Sequence, residues 1–183
     1  NFDFAVARYL STGALDTSFG TNGQRVIPIG SLGDYATSMA LQSDGKIVIA
    51  GYSEVSGGTD VAVVRLNGTN GSDDTSFGVL GKKTLTVGTV DTANDVLIQS
   101  DGKIVLGGQT RLTGSDNDFL AMRLLSNGTL DSGFNGTGSV AVDFGTTGDN
   151  AYGVELQSDG KVLLGGMAYD VAANIPATSF AAV

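Results

Sequence analysis

Three observations predict an all-β repeat architecture. The phrase QSDGKIVIAG (Gln42 to Gly51) returns as QSDGKIVLGG (Gln99 to Gly108) and as QSDGKVLLGG (Gln157 to Gly166), at spacings of 57 and 58 residues. One supersecondary unit is therefore written three times. The composition is the second observation: 28 Gly against 2 Pro, with only 16% charged residues, favours many short strands and turns over helices. The third is the pattern inside the phrase. Ser-Asp-Gly-Lys is turn chemistry, with Asp bonding back to its own backbone and Gly taking the positive-φ position. The run after it, Ile47 to Gly51, is apolar on both faces and fits a strand buried on both sides. Its small last residues (Ala50-Gly51, Gly107-Gly108, Gly165-Gly166) permit close approach of another backbone.

The elements follow in order. Asn1 to Leu10 alternates as a strand, with Phe4, Val6 and Arg8 on one face. Ser11 to Gly23 is a turn-rich connection with one apolar peg, Phe19. Gln24 to Ile29 is a second strand, and Pro28, which has no N–H to donate, places it at a sheet edge. Tyr35 to Gln42 and Lys46 to Ser53 are the third and fourth strands, and EVSGGT reads as a linker to the next copy. The second copy repeats this from Asp60, through Lys82 to Val87, Asp91 to Gln99 and Lys103 to Gln109. The third does so from Asp118, through Ser139 to Phe144, Asp149 to Gln157 and Lys161 to Met167. Four short antiparallel strands per unit of about 57 residues is the pattern of a β-propeller blade. The units are 1–59, 60–117 and 118–178, with a truncated fourth opening at 179–183.

Blades need not share these boundaries. With Tyr35 to Val87 as one blade and Ala93 to Phe144 as another, each end holds part of a blade, and the whole makes about three. Closed propellers have four to eight, so the ring is expected to be completed by the remainder of a longer chain or by a homo-oligomer. Two copies would give about six blades. The chain starts at Asn1 without Met or a signal-like apolar stretch, the pattern of a processed product or a segment of something longer.

Several positions recur in all three copies: Asp3/Asp60/Asp118, Arg8/Arg65/Arg123, Asp16/Asp74/Asp131, Phe19/Phe77/Phe134 and Asp34/Asp91/Asp149. To these the turns add Asp44-Gly45, Asp101-Gly102 and Asp159-Gly160. The order strand-Arg, LDTSFG, LQSDGKIVIAG, carried by Asp3 to Arg8, Leu15 to Gly20 and Leu41 to Gly51 with their counterparts, resembles the delta-60 repeat. That bacterial family implies β-propellers in large secreted or surface-exposed proteins and supplies no catalytic residues. The second copy departs from it at Asp73-Asp74 and the third at Ser132-Gly133-Phe134.

Composition narrows the function. A net charge of −9 and a pI of about 4.2 argue against a nucleic-acid partner, which needs a basic face. No Cys and no His excludes disulfides, Cys/His zinc sites and His-based triads. No apolar run approaches the roughly 18–20 residues that cross a bilayer, so no membrane insertion is expected. No cofactor is implied: GTGSVA (Gly136 to Ala141) precedes a strand where a dinucleotide motif opens a helix, and GVLGKKT (Gly78 to Thr84) fails the phosphate-loop pattern.

The remaining candidates each have a structural alternative. Arg8, Arg65 and Arg123 suit an anion ring, but an inter-blade ion pair with Asp16, Asp74 and Asp131 explains them better, because a buried guanidinium must be paired. Asp34, Asp91 and Asp149 are where calcium would be sought, although turn roles account for most aspartates and no dedicated calcium loop is present. Glu54 and Glu155, the two glutamates, stand at non-equivalent positions, a poor match to the paired carboxylates of a propeller glycoside hydrolase. Asn67, Asn70, Asn127 and Asn135 are all Asn-x-Ser/Thr sites and all Asn-Gly, so the turn reading is sufficient for them, and Tyr52, Tyr169 and Phe144 are candidate sugar-stacking groups for which core or edge packing is the stronger explanation. The function expected is a non-enzymatic, adhesive or recognition platform at the bacterial cell surface or outside the cell, binding protein or glycan. The alternatives are a hydrolase with catalytic carboxylates partly outside this chain, and an inert spacer.

Overall fold

The computed structural model describes residues 1–112, 116–145 and 147–169, together with the backbone of the strand 179–182. Two complete blades stand at its centre. The first runs β3 (Asp34–Leu41), β4 (Ile47–Val55), β5 (Gly58–Leu66) and β6 (Lys82–Leu85), and the second β7 (Val90–Ile98), β8 (Ile104–Arg111), β9 (Asn117–Leu124) and β10 (Ser139–Val142), every neighbour antiparallel. Upstream lie only the two outer strands of a blade, β1 (Phe4–Ala7) and β2 (Gln24–Ile27). Downstream lie the first three strands of another, β11 (Asp149–Leu156), β12 (Val162–Ala168) and β13 (Ser179–Ala182). The fold is all-β and propeller-type, and the arc does not close on itself.

The blades are offset from the sequence units by half a unit. Glu54 to Thr59, read as a linker, closes the β4–β5 hairpin: Val55 pairs with Gly58, and Gly57 adopts φ +94° between them. A tight turn around one positive-φ glycine leaves no slack for a linker. The unit boundary therefore falls inside a blade. Pro28 follows the last residue of β2, which is an edge strand as its proline requires.

The repeated glycine after each buried run has a steric cause. A Cβ at Gly51 would lie 1.9 Å from the Tyr35 carbonyl oxygen, and one at Gly108 1.9 Å from that of Thr92. Both glycines face register shifts in the partner strand, between Ala36 and Ser38 and between Ala93 and Asp95. These β-bulges press a backbone against the glycine.

Apolar side chains meet between blades. Phe4, Phe19 and Ile27 upstream pack with Ile47, Ile49, Ala62 and Val64 of the first blade. That blade's Val48, Val61, Val63 and Phe77 pack with Ile104, Leu106, Leu120 and Met122 of the second. A smaller third cluster joins Val105, Phe119 and Ala121 to Ala151, Val154 and Leu164. The first strands of successive blades are also stitched directly: Thr37 Oγ1 donates to the Ala93 carbonyl at 2.6 Å, and Asn94 Nδ2 to that of Ala151 at 2.7 Å.

Candidate functional site

The repeated Arg, Asp and Phe form one device. Arg65, at the end of β5, donates through Nε to Asp74 Oδ2 at 2.7 Å and through Nη2 to Ser76 Oγ at 3.0 Å. Its guanidinium carbon lies 4.8 Å from the centroid of the buried Phe77 ring, within cation–π range. Its Nη1 donates to the Ser126 carbonyl, which belongs to the next blade. The same set recurs upstream: Arg8 binds Asp16 at 2.8 Å, covers Phe19 and donates to the Gly68 and Thr69 carbonyls of the first complete blade. The aspartate expected as the partner is the partner. The ion pair, however, stays within its own blade, and the inter-blade link is the arginine's third contact, to a carbonyl.

Each carboxylate is tuned by this setting. Burial pushes Asp74 up, but the Ser76 hydroxyl and N–H, and then Arg65, outweigh it and hold the carboxyl below its ordinary 3.8. Asp131 is lowered first by the Gly133 N–H and also by Arg123. Ser132-Gly133 thus keeps the backbone bond at 2.9 Å while dropping the hydroxyl that Ser76 supplies. The other departure, Asp73, accepts from Arg25 Nη2 of the upstream partial blade at 2.7 Å and adds an inter-blade ion pair.

The Ser-Asp-Gly-Lys turns close the same end of each blade. Gly45, Gly102 and Gly160 adopt φ of 82°, 83° and 86°, and Asp44, Asp101 and Asp159 accept the N–H two residues on at 3.1 to 3.2 Å. Lys46 reaches both Asp44 (2.8 Å) and Asp74 (3.7 Å). Between the turns of the two complete blades opens a cleft of about 730 Å³, bordered by Gln42, Asp44, Lys46, Arg65, Gln99 and Asn127. Gln99 Oε1 is buried there without a hydrogen-bond partner. The cleft holds donors and acceptors of both charges and no aromatic ring.

The calcium candidates separate. Asp34 accepts from the N–H groups of Ile29 (2.7 Å) and Gly30 and from Ser53 Oγ (2.5 Å), and Asp91 likewise from Val87, Gly88 and Thr110. Both fasten the connection that enters their blade. Asp149 accepts the Phe144 N–H at 2.9 Å but also meets Asp118 and Asp143, with one carboxylate oxygen from each lying within 4.8 Å of the others. Burial, then Asp143, Asp116 and Asp149, push the Asp118 carboxyl up. Such a trio could take a hard cation, which prefers oxygen and needs further ligands to reach six to eight. Sequence reasoning missed Asp143. The signal was present, because the second unit has Thr86 at that place, donating to Asp60 at 2.9 Å.

The remaining candidates lie apart. Glu54 accepts the Gly33 N–H at 3.1 Å, while Glu155 is exposed on β11, two blades away. Tyr52 is covered by Tyr35, stacked at 4.9 Å, and Phe144 meets Phe119 edge-on at 4.9 Å. Tyr169 is 42% exposed. Asn67 turns its amide inward to Ser72 Oγ, and Asn70 and Asn127 accept local N–H groups.

A family model described as "Domain of unknown function (DUF5122) beta-propeller" matches residues 1–19, 42–77 and 99–134. The chain is built of β-propeller repeats. Each matched segment of the propeller ends on, or just reaches, a peg phenylalanine, and the second and third begin at a Gln-Ser-Asp-Gly-Lys turn. The matched stretches thus hold the arginine, aspartate and phenylalanine of every device. No match to a curated protein was found.

Proposed function

We propose that this propeller is a non-enzymatic recognition segment of the delta-60 repeat type, in a secreted or cell-surface bacterial protein, and that it binds glycan at the cleft between successive Ser-Asp-Gly-Lys turns. The observation that carries the reading is the cleft itself. It has about 730 Å³ of space, a mixed border of amide, carboxylate and ammonium groups, and an unpartnered Gln99 Oε1. Sugar hydroxyls both donate and accept, and an unmet buried acceptor favours a ligand that donates to it. The separation of Glu54 from Glu155 onto different blades favours binding over hydrolysis, which needs two carboxylates flanking one bond.

The test is an array of neutral and acidic oligosaccharides probed with the labelled chain, followed by calorimetric titration of the best ligand. Retention that falls about tenfold or more in Gln99→Ala, with the oligosaccharide intact by mass spectrometry, supports the proposal. Cleavage lost in Glu155→Gln would replace it with a hydrolase, and no retention of any glycan would leave a spacer.

A further inference from the structure

The third sequence unit surrounds its buried acids unlike the units before it. In the second unit, Thr86 Oγ1 donates to Asp60 at 2.9 Å, and Thr86 directly precedes Val87, whose N–H caps Asp91. Asp34 and Asp91 each accept a hydroxyl as well, from Ser53 and Thr110, the residues that pair with them on the neighbouring strand. Neither hydroxyl is kept at its place in the third unit. Asp143 precedes Phe144, whose N–H caps Asp149, and Ala168 is the residue paired with Asp149. A carboxylate and a methyl group thus replace two donors beside two buried acids.

The consequence falls on Asp118, the counterpart of Asp60. Asp118 is 4% exposed, and among the described residues no N–H, hydroxyl, lysine or arginine lies within hydrogen-bond or ion-pair distance of its carboxylate. A carboxylate so buried requires a donor or a positive charge. It is aimed instead at Asp143 and Asp149, and one oxygen from each of the three lies within 4.8 Å of the others. That is about the widest span of two ligands on one ion whose oxygen contacts are about 2.4 Å long. A proton shared between two carboxylates would relieve one pair of oxygens and leave the third, whereas a cation answers all three at once.

We propose that Asp118, Asp143 and Asp149 hold one calcium ion, and that this ion ties the second complete blade to the strands after it. Asp118 stands at the start of β9, Asp143 directly after β10 and Asp149 at the start of β11. One ion therefore joins three segments of two blades, at the place where the preceding unit relies on hydroxyl hydrogen bonds. Calcium fits the donor set: it takes oxygen ligands in flexible geometry, whereas magnesium demands a near-ideal octahedron. The chain has no His or Cys to favour a softer metal. Asp143 is exposed, which leaves room for water to complete the six to eight ligands. The site lies at the end of the blades opposite the Ser-Asp-Gly-Lys turns, so it neither depends on the glycan cleft nor contributes to it.

Calorimetric titration of the full chain, freed of metal with a chelator, is expected to show one calcium site with a Kd of about 0.1–1 mM, the range of extracellular calcium modules. At about 10 mM calcium, urea unfolding should then show the folded-to-unfolded ratio raised about 10- to 100-fold over sodium chloride of equal ionic strength. Asp143→Thr copies Thr86 and removes the exposed ligand; it should fold without calcium and lose both responses. Asp118→Asn keeps the side-chain shape and should lose them too. No binding of calcium, a gain reproduced by sodium chloride, or a response that survives in either variant overturns the proposal. An equal gain from magnesium overturns the assignment to calcium.

Discussion

The devices at Arg65 and Arg123 are the same residues in two states of completion. Their arginine–aspartate distances differ by 0.1 Å, at 2.7 and 2.8 Å, and each ring lies beneath its guanidinium. What changes is cover. The Arg65 side chain is 5% exposed and that of Arg123 17%, while Phe77 is fully buried and Phe134 half-buried. The ion pair therefore forms without help from the neighbouring blade. The neighbour adds desolvation and a third acceptor, so the downstream turn converts a local pair into a joint between blades.

The largest difference is expected on removing the arginines. Arg65→Met takes the arginine from a buried aspartate and from the Ser126 carbonyl and should cost about 3–5 kcal/mol, while Arg123→Met, which removes an arginine 17% exposed from an aspartate just as buried, should cost clearly less. Urea unfolding of both variants measures this, and equal losses would show that the covering turn contributes nothing. Next comes glycine. Gly128→Ala meets both a positive φ and the Phe77 ring, whereas Gly13→Ala meets only the backbone cost of about 1–2 kcal/mol. The melting temperature of Gly128→Ala should fall further.

Smaller effects sharpen the contrast at the opposite end of the blades. Asp143→Thr restores the hydroxyl that Thr86 gives to Asp60 and removes a charge beside Asp118; it should stabilise the chain by about 1 kcal/mol at neutral pH. The weakest signal is the pH profile. Asp16, Asp74 and Asp131 are lowered in the fold, so their contribution is complete above the ordinary 3.8 and is lost as pH falls through the lowered values. Asp118 is raised, so its ionised form costs stability above that raised value, and the cost lifts as pH falls through it. Stability should thus rise slightly on mild acidification before it drops, and Asp118→Asn should abolish the rise while leaving the drop.

Local chemistry was legible in the sequence and neighbour chemistry was not. The Asp44-Gly45 turn, the close approach at Gly51 and the edge position of Pro28 each depend on residues within one hairpin, and the residue types carry that information. The Arg–Asp pairing was readable because both members recur in every copy. The third contact of Arg65 goes to a backbone carbonyl, which any residue supplies, so no side chain marks it. The half-unit offset was legible as one option, with Tyr35 to Val87 and Ala93 to Phe144 as blades, but repetition fixes a period and no starting point, and the pairing of Val55 with Gly58 selects that phase. The acidic trio lay in a difference between copies, Asp143 for Thr86, in a comparison that attended to what the copies share.

Every joint in this arc points forward. Arg8 reaches Gly68 and Thr69, 60 and 61 residues ahead, and Arg65 reaches Ser126, 61 ahead. During synthesis, the outer loop of a blade can fold its own ion pair at once but is sealed only when the following repeat has emerged. At roughly 5–20 residues per second that interval is about 3–12 s. The growing molecule therefore always carries one open joint at its leading end, its phenylalanine uncovered until the next repeat emerges.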